Sequence, residues 1–229
     1  MDRFFDIFFS SLALILLVPF LIPVSIILYF TGEGEVFFLQ ERIGKNGKIF
    51  KLYKFATMLK NSPSVGTRTV TIKNDPRVLP FGKILRKTKI NELPQLINVF
   101  LGSMSIIGPR PLTKEAFSSY NNYQKKIILE VRPGLSGLGS IIFHDEEELL
   151  KGNLASLEFY KNDIAPFKGE VEAWFVNNKS IFIYFVAIFL TLWVMINKKA
   201  HYVWKFFPTL PKPSNKLKEL LNIEPIEND

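Results

Sequence analysis

The longest pattern in the chain is at its start. Phe4 to Phe30 is almost wholly apolar, broken only by Asp6 and a few serines. A helix needs about 20 such residues to cross a bilayer, so this run is long enough. Pro19 and Pro23 lie near its middle, where each removes a backbone donor and clashes with the preceding turn, predicting a kink or break. From pattern alone, a spanning helix and a re-entrant one that returns to the same face fit equally well. Two runs of β-branched and aromatic residues follow, Val36–Arg42 and Ile49–Phe55, flanking Gly44-Lys45-Asn46-Gly47. Asn-Gly supplies positive φ, so the segment predicts a β-hairpin. Phe81–Lys89 reads as a short basic helix. Leu93, Leu96, Ile97, Phe100 and Leu101 have helical spacing, with Asn91 as N-cap and Gly102 at the C-terminal end. Glu115–Glu130 predicts another helix. Arg132-Pro133-Gly134, with Gly137 and Gly139, predicts a Gly-rich turn. Ser180–Ile196 is a second uncharged apolar stretch, short for a span. With lysines and aromatic residues at its end it reads first as a helix in the membrane interface, then as a buried core helix or a second span. The tail from Phe207 holds Pro208, Pro211 and Pro213 and reads as a loosely packed extension.

Composition narrows the class. With 48% hydrophobic and 22% charged residues the chain is not a disordered one. It has no cysteine, which rules out disulfides, thiolate catalysis and cysteine metal sites. Neither His144 nor His201 has zinc-site spacing. The net charge of +8 favours anionic partners. Glu41–Lys60 carries six basic residues and one acid, and Lys73–Lys89 again six and one, so the positive charge is concentrated just after the apolar run. Basic residues there mark a cytoplasmic face and attract anionic lipid headgroups. A cleavable signal peptide fits poorly: Met1-Asp2-Arg3 is barely positive, the run is long, and no small-residue cleavage site follows. No nucleic-acid-binding module is present.

Three segments carry candidate chemistry. Lys87-Thr88-Lys89-Ile90-Asn91-Glu92-Leu93-Pro94 puts a carboxylate beside a basic cluster at a helix start, a place for phosphate or for a divalent ion that binds one. Gly108-Pro109-Arg110-Pro111 holds a guanidinium between two prolines, suited to bidentate phosphate contact. Arg132 precedes glycines whose backbone could approach a ligand. Taken singly, Glu92 also reads as a helix-dipole partner, Arg110 as a surface turn residue and Arg132 as a C-terminal cap.

The order of motifs resembles a known family. Arg3-Phe4-Phe5-Asp6, the proline-containing apolar run, Gln40-Glu41-Arg42-Ile43-Gly44, Tyr53-Lys54-Phe55-x-Thr57-Met58, Asp75-Pro76-Arg77, Phe81-Gly82, Glu92-Leu93-Pro94-Gln95-Leu96-x-Asn98-Val99, Met104-Ser105-x-x-Gly108-Pro109-Arg110-Pro111 and Arg132-Pro133-Gly134 are similar to the bacterial sugar transferases, the monotopic phosphoglycosyl transferases. The likeness runs from about Arg3 to Ile196. It implies an enzyme that moves a phosphosugar from a UDP-sugar to polyprenyl phosphate, at the start of surface-glycan (exopolysaccharide) assembly. It also implies a re-entrant N-terminal helix and an Asp-Glu pair working with Mg²⁺, the Asp as covalent nucleophile. The chain departs from that pattern: the nucleophile's position is Asn91, whose amide forms no acyl phosphate. Ala56 stands where a basic residue is usual, and Leu101-Gly102-Ser103-Met104-Ser105 lacks the usual charges.

The resulting expectation is an α/β, mostly helical protein. Residues 1–32 form a re-entrant membrane helix, and 33–200 a transferase-like domain with a small β-hairpin and interfacial amphipathic helices including 180–196; 201–229 is a C-terminal extension. By the resemblance, Glu92 holds Mg²⁺, Lys54, Arg110 and Arg132 bind substrate phosphates, and Asn91 keeps the nucleophile's place without its chemistry. Asp145 is the candidate substitute carboxylate, against the simpler reading that 145–148 begin a solvated helix. The expected partners are UDP-sugar, polyprenyl phosphate and membrane lipid, with a second copy or an active relative as protein partner, and the expected place is the cytoplasmic face of a bacterial inner membrane. The alternative is an inactive relative that binds nucleotide sugar, lipid phosphate or an active transferase.

Overall fold

A computed structural model describes residues 2–64, 75–144 and 158–221. The first helix, α1 (Asp2–Thr31), is helical throughout, so the expected break at Pro19 and Pro23 is absent. Each proline costs one rung of a 30-residue ladder, which the remaining rungs carry. α1 is long and apolar enough to cross a membrane, and few of its side chains are buried.

Both ends of α1 are nevertheless tied to one body. At the start, Arg3 donates from Nη1 to the Val99 carbonyl (2.5 Å) and from Nη2 to that of Phe100 (2.6 Å). Asp6 is 1% exposed, and its Oδ1 accepts bonds from Ser105 Oγ, the Ile106 N–H and Tyr184 Oη, each 2.9 Å. Toward the far end, Val24 and Leu28 pack with Phe55 and Leu85. Between these anchors the helix shows solvent a row of large apolar side chains, Ile15 and Leu16 among them.

The hairpin forms as expected from β1 (Phe37–Ile43) and β2 (Ile49–Phe55), antiparallel, with Phe38 opposite Lys54 and Arg42 opposite Phe50. Asn46 and Gly47 take the positive φ the turn demands, 56° and 74°. Then come α2 (Pro80–Lys87), a 3₁₀ turn over Ile90–Glu92, and α3 (Gln95–Leu101), closed by Gly102 at φ 90°. β3 (Ser105–Ile107) pairs in parallel with β4 (Gly134–Ser136), a link the sequence pattern did not announce.

The single helix expected over 115–130 is two, α4 (Lys114–Ser118) and α5 (Asn122–Ile128). The first ends at its C-cap Ser119, and Asn121 starts the second through a reciprocal capping box with Gln124. Next are α6 (Leu138–Ile142), a π-helical turn over Tyr160–Ile164, and α7 (Ala165–Asn177). α8 (Ile181–Asn197) begins at Ser180, whose Oγ accepts the Ile183 N–H.

α8 buries Ile183, Ala187, Leu190 and Val194 on one side. It exposes Phe182, Phe189, Leu192 and Ile196 on the other, so it is not a buried core helix. Two short helices follow, α9 (Tyr202–Phe206) and α10 (Asn215–Leu220). The tail is not loosely packed through residue 221: Phe207, Leu210 and Leu217 are buried in the main core with Leu138, Ile142, Phe175 and Leu190, and Trp204 Nε1 donates to the Pro211 carbonyl at 2.9 Å. Apolar residues spaced between the prolines give it something to bury.

Candidate active site

Strand periodicity builds one wall of the site. Successive side chains alternate faces, so Gln40 and Arg42 on β1 and Leu52 and Lys54 on β2 share the inward face of the hairpin. The 3₁₀ turn after α2 brings Glu92 to meet them. Lys89, in a left-handed conformation, starts that turn, and Lys54 Nζ lies 3.0 Å from Glu92 Oε1. Arg110 comes from the segment after β3, and its Nη2 stands 3.9 Å from the same oxygen.

Three glycines set the path to Arg110. A side chain on Gly134 would fall 2.1 Å from Gly108 N, and one on Gly137 2.1 Å from Gly108 O. One on Gly108 would fall 2.6 Å from the Arg132 carbonyl oxygen. These glycines admit another stretch of backbone rather than a ligand, which corrects the expectation for the turn. Arg42 completes the frame: Nη1 donates to the Pro111 carbonyl (3.0 Å) and Nη2 to Gln40 Oε1 (2.5 Å), while its buried Nε has no partner.

Three cations thus surround one carboxylate. Burial is the largest influence on Glu92 and works to raise its pKa, but Lys54, Arg110 and Lys89 outweigh it and hold the group far below the ordinary carboxylate value. Burial and neighbouring arginines pull Lys54 down, against the attraction of Glu92. Burial and Arg110 bring Arg42 down to about 10. Glu92 is 22% exposed and Arg110 40%, so the cluster opens outward, and its excess positive charge suits a polyphosphate.

The other sequence candidates lie elsewhere or differ in detail. Asn91 is not an N-cap. It sits inside the 3₁₀ turn, because Lys89 begins the turn earlier and α3 starts only after Pro94; it is 6% exposed and its Oδ1 is buried without a partner. Arg132 is not brought to the cluster through its Nε, which donates to the Gly102 carbonyl at 2.8 Å, at the opposite end of α3 from Glu92. Asp145 lies outside the described residues.

Two charged residues escaped the sequence reading. One is Arg42, visible only as part of a motif. The other is Glu172 on α7, 2% exposed, whose Oε1 accepts the Arg110 N–H at 3.3 Å and whose Oε2 is unpaired. Burial pushes Glu172 up to about 7, against the Arg110 N–H, Lys168 and the Arg110 charge. Nothing in a mostly apolar helix marked that acid as different.

Among the described residues no three His, Asp or Glu side chains converge to hold a metal. The Glu92 carboxylate and the unpaired Asn91 Oδ1 are hard oxygen donors of the kind Mg²⁺ takes. Adjacent cations disfavour a bare divalent ion at Glu92, so a Mg²⁺ held there would have to arrive with a diphosphate that supplies ligands of its own.

Comparison with known proteins supplies the family. Residues 1–198 match the family model described as bacterial sugar transferase. The chain is 40% identical over 151 residues to an exopolysaccharide production protein, PSS, of Rhizobium leguminosarum bv. phaseoli, covering 62% of this chain and 73% of that one. It is 38% identical to the exopolysaccharide production protein ExoY of Sinorhizobium fredii, covering 61% and 67%. It is 36% identical over 204 residues to the UDP-glucose:undecaprenyl-phosphate glucose-1-phosphate transferase of Klebsiella pneumoniae, covering 87% of this chain but 41% of that one. Matched over residues 1–198, which include α1, the hairpin and the Pro-Arg-Pro segment that carries Arg110, the chain belongs to the bacterial sugar transferase family.

Proposed function

We propose that the chain transfers a phosphosugar from a UDP-sugar to polyprenyl phosphate at a membrane surface, releasing UMP. The observation that carries this is the meeting of Lys54 and Arg110 on the single carboxylate Glu92, with Arg42 within electrostatic reach of Arg110 and Glu92, beside the far end of α1. Such a group binds a diphosphate and stabilises the charge that grows on its oxygens as the bond from the sugar-bearing phosphorus to the bridging oxygen breaks. The names of the relatives support the donor and acceptor: one acts on UDP-glucose and undecaprenyl phosphate. An apolar helix held at both ends by one body supports a re-entrant seat in the membrane, and the basic hairpin supports its cytoplasmic face. Transfer of this kind fits the inner membrane of a bacterium.

In this reading the lipid phosphate oxygen attacks the sugar-bearing phosphorus directly. The bond from that phosphorus to the bridging oxygen breaks, and UMP leaves with both bonding electrons. Asn91 provides no carboxylate, and Glu92 is held by Lys54, so neither serves as a covalent nucleophile. Lys54 and Arg110 hold the phosphates in place, and Glu92 keeps the two cations from repelling each other apart. Mg²⁺, when bound with the diphosphate, adds Lewis-acid polarisation of the phosphoryl oxygens.

Purified protein in detergent with Mg²⁺, polyprenyl phosphate and a panel of UDP-sugars tests this. UMP release that requires the lipid, without a phosphosugar adduct on the intact protein, is the expected result. An adduct formed without lipid would refute direct displacement. Absence of UMP release from folded protein that still binds UDP-sugar would refute catalysis and leave a binding protein, with a second copy or an active relative as the partner to seek.

A further inference from the structure

Arg110 sits in Pro109-Arg110-Pro111, and proline carries no amide hydrogen. The triplet therefore has a single backbone donor, the Arg110 N–H, and it is given to Glu172 Oε1 of α7 at 3.3 Å. The residues around it are tied to the strands. The Gly108 N–H donates to the Ser136 carbonyl (2.9 Å), and the Pro109 carbonyl accepts from the Gly134 N–H (2.8 Å). The Pro111 carbonyl accepts from Arg42 Nη1 (3.0 Å), and that of Leu112 from the Ile43 N–H (3.0 Å). Of these ties, the one at Arg110 itself is the one that runs to an acid on a distant helix. Resting on the reading that Arg110 holds a phosphate of the donor, we infer that Glu172 is a positioning residue: by accepting the Arg110 N–H it fixes the backbone from which the guanidinium reaches Glu92 and the phosphate.

The packing around Glu172 is built to hold it there. A side chain on Gly139 of α6 would fall 2.5 Å from Glu172 Oε1, so the glycine leaves the carboxyl its place. One turn earlier on α7, a side chain on Gly169 would fall 2.5 Å from the Gln124 amide oxygen. Gln124 Nε2 in turn donates to the Pro166 carbonyl at 3.1 Å, which seats the start of α7 against α5. Glu172 is 2% exposed, so it meets no substrate, and what it does for the reaction runs through Arg110. Packing alone calls for no acid at this position: Oε2 is buried without a partner, a cost that an apolar side chain would avoid. An apolar side chain could not accept the Arg110 N–H. The bond needs an acceptor rather than a charge, since Oε1 accepts whether or not Oε2 carries a proton. A loosened backbone would let the guanidinium drift, and a misplacement of about 1 Å at a reacting phosphate can cost about a hundredfold in rate.

Hydrogen exchange reads this bond directly, because residues 109–111 carry no amide hydrogen except that of Arg110. The detergent-solubilised full chain is compared with Glu172→Gln, which keeps an acceptor, and Glu172→Leu, which removes it. Thermal unfolding reports that each is folded. Should the leucine variant not fold, Gly139→Ala, which pushes the carboxyl aside from α6, takes its place. The expected result for Glu172→Leu is Arg110 exchange at least about tenfold faster, with kcat for lipid-dependent UMP release at least about tenfold lower. Glu172→Gln should stay within about threefold of the wild type in both. Unchanged Arg110 exchange in the variant without the acceptor would overturn the role, and so would faster exchange with wild-type kcat. A glutamine variant as impaired as the leucine one would overturn it too, since acceptance of the bond would then not be what matters. If folded wild type releases no UMP, the transferase reading falls by itself, and affinity for inorganic pyrophosphate with Mg²⁺ decides the role: a loss of about tenfold in Glu172→Leu upholds it and an unchanged affinity overturns it. If wild type does not bind pyrophosphate either, the phosphate reading and the positioning role fall together.

Discussion

Glu172 makes the protein's stability fall as the solution becomes more basic. Its carboxyl, 2% exposed and with Oε2 unpaired, is raised from 4.5 to about 7 by burial. Between those values the folded chain holds a proton that the unfolded chain releases. Stability from this group is therefore full below about pH 4.5, declines as pH rises, and is lost above about pH 7. The gap of about 2.5 pH units, at about 1.4 kcal/mol each, is about 3.5 kcal/mol. For a chain of this size that is roughly 7–14 °C in Tm.

Glu92 does not mask the trend. Its depressed pKa contributes stability that is lost only as pH falls below the ordinary carboxylate value of 4.5, so it is level from pH 5.5 to 8. The assay is thermal unfolding in detergent micelles at pH 5.5 and 8, for the wild type and for Glu172→Gln. The variant keeps the acceptor for the Arg110 N–H without the charge. It should already exceed the wild type slightly at pH 5.5, and its lead should grow up to pH 8. Equal pH slopes for the two proteins would refute the reasoning.

Three further outcomes follow from the geometry. Glu92→Gln leaves Lys54 and Arg110 facing each other without a counter-charge, and should lower lipid-dependent UMP release by at least about a hundredfold; unchanged turnover would remove Glu92 from the site. Asp6→Ala strands three buried donors and should cost about 3–6 kcal/mol in unfolding experiments, whereas a loss under about 1 kcal/mol would mean that the N-terminal anchor is dispensable. Gly134→Ala places a carbon 2.1 Å from Gly108 N and should force β3 and β4 apart, read as lost thermal stability; a soluble variant with wild-type Tm would contradict the close approach.

Where structure follows from neighbouring residues, the sequence was a good guide. Asn46-Gly47 announced the hairpin turn, Gly102 the end of α3, and the uncharged run after Ser180 the helix α8. The split between α4 and α5 was also visible in principle, since Asn121-x-x-Gln124 is a capping pair inside what the apolar spacing made one helix. Long-range relations were not legible. Strands of three residues carry no periodicity, and β3 meets β4 only because Gly108, Gly134 and Gly137 let two backbones touch.

Within the site, Lys54, Glu92 and Arg110 could be named from their motifs. Arg42 blended into a basic stretch, and Glu172 became distinctive only once α7 was packed against the Arg110 backbone. Asn91 was misplaced as a cap because the left-handed turn at Lys89 depends on how α2 and α3 meet, not on the local residue types.

The double anchorage of α1 makes its angular phase a fixed quantity. Asp6 must point at Ser105, Ile106 and Tyr184 while Leu28 points at Phe55 and Leu85, and both are carried by one unbroken helix. Adding one residue between them turns one anchor by about 100° relative to the other and lengthens the path by about 1.5 Å. Adding four returns the phase to within about 40°. The exposed apolar stretch between the anchors is therefore free in side-chain identity but not in residue count. It behaves as a torsion spacer, so substitutions among its apolar residues should be borne far better than a single insertion or deletion.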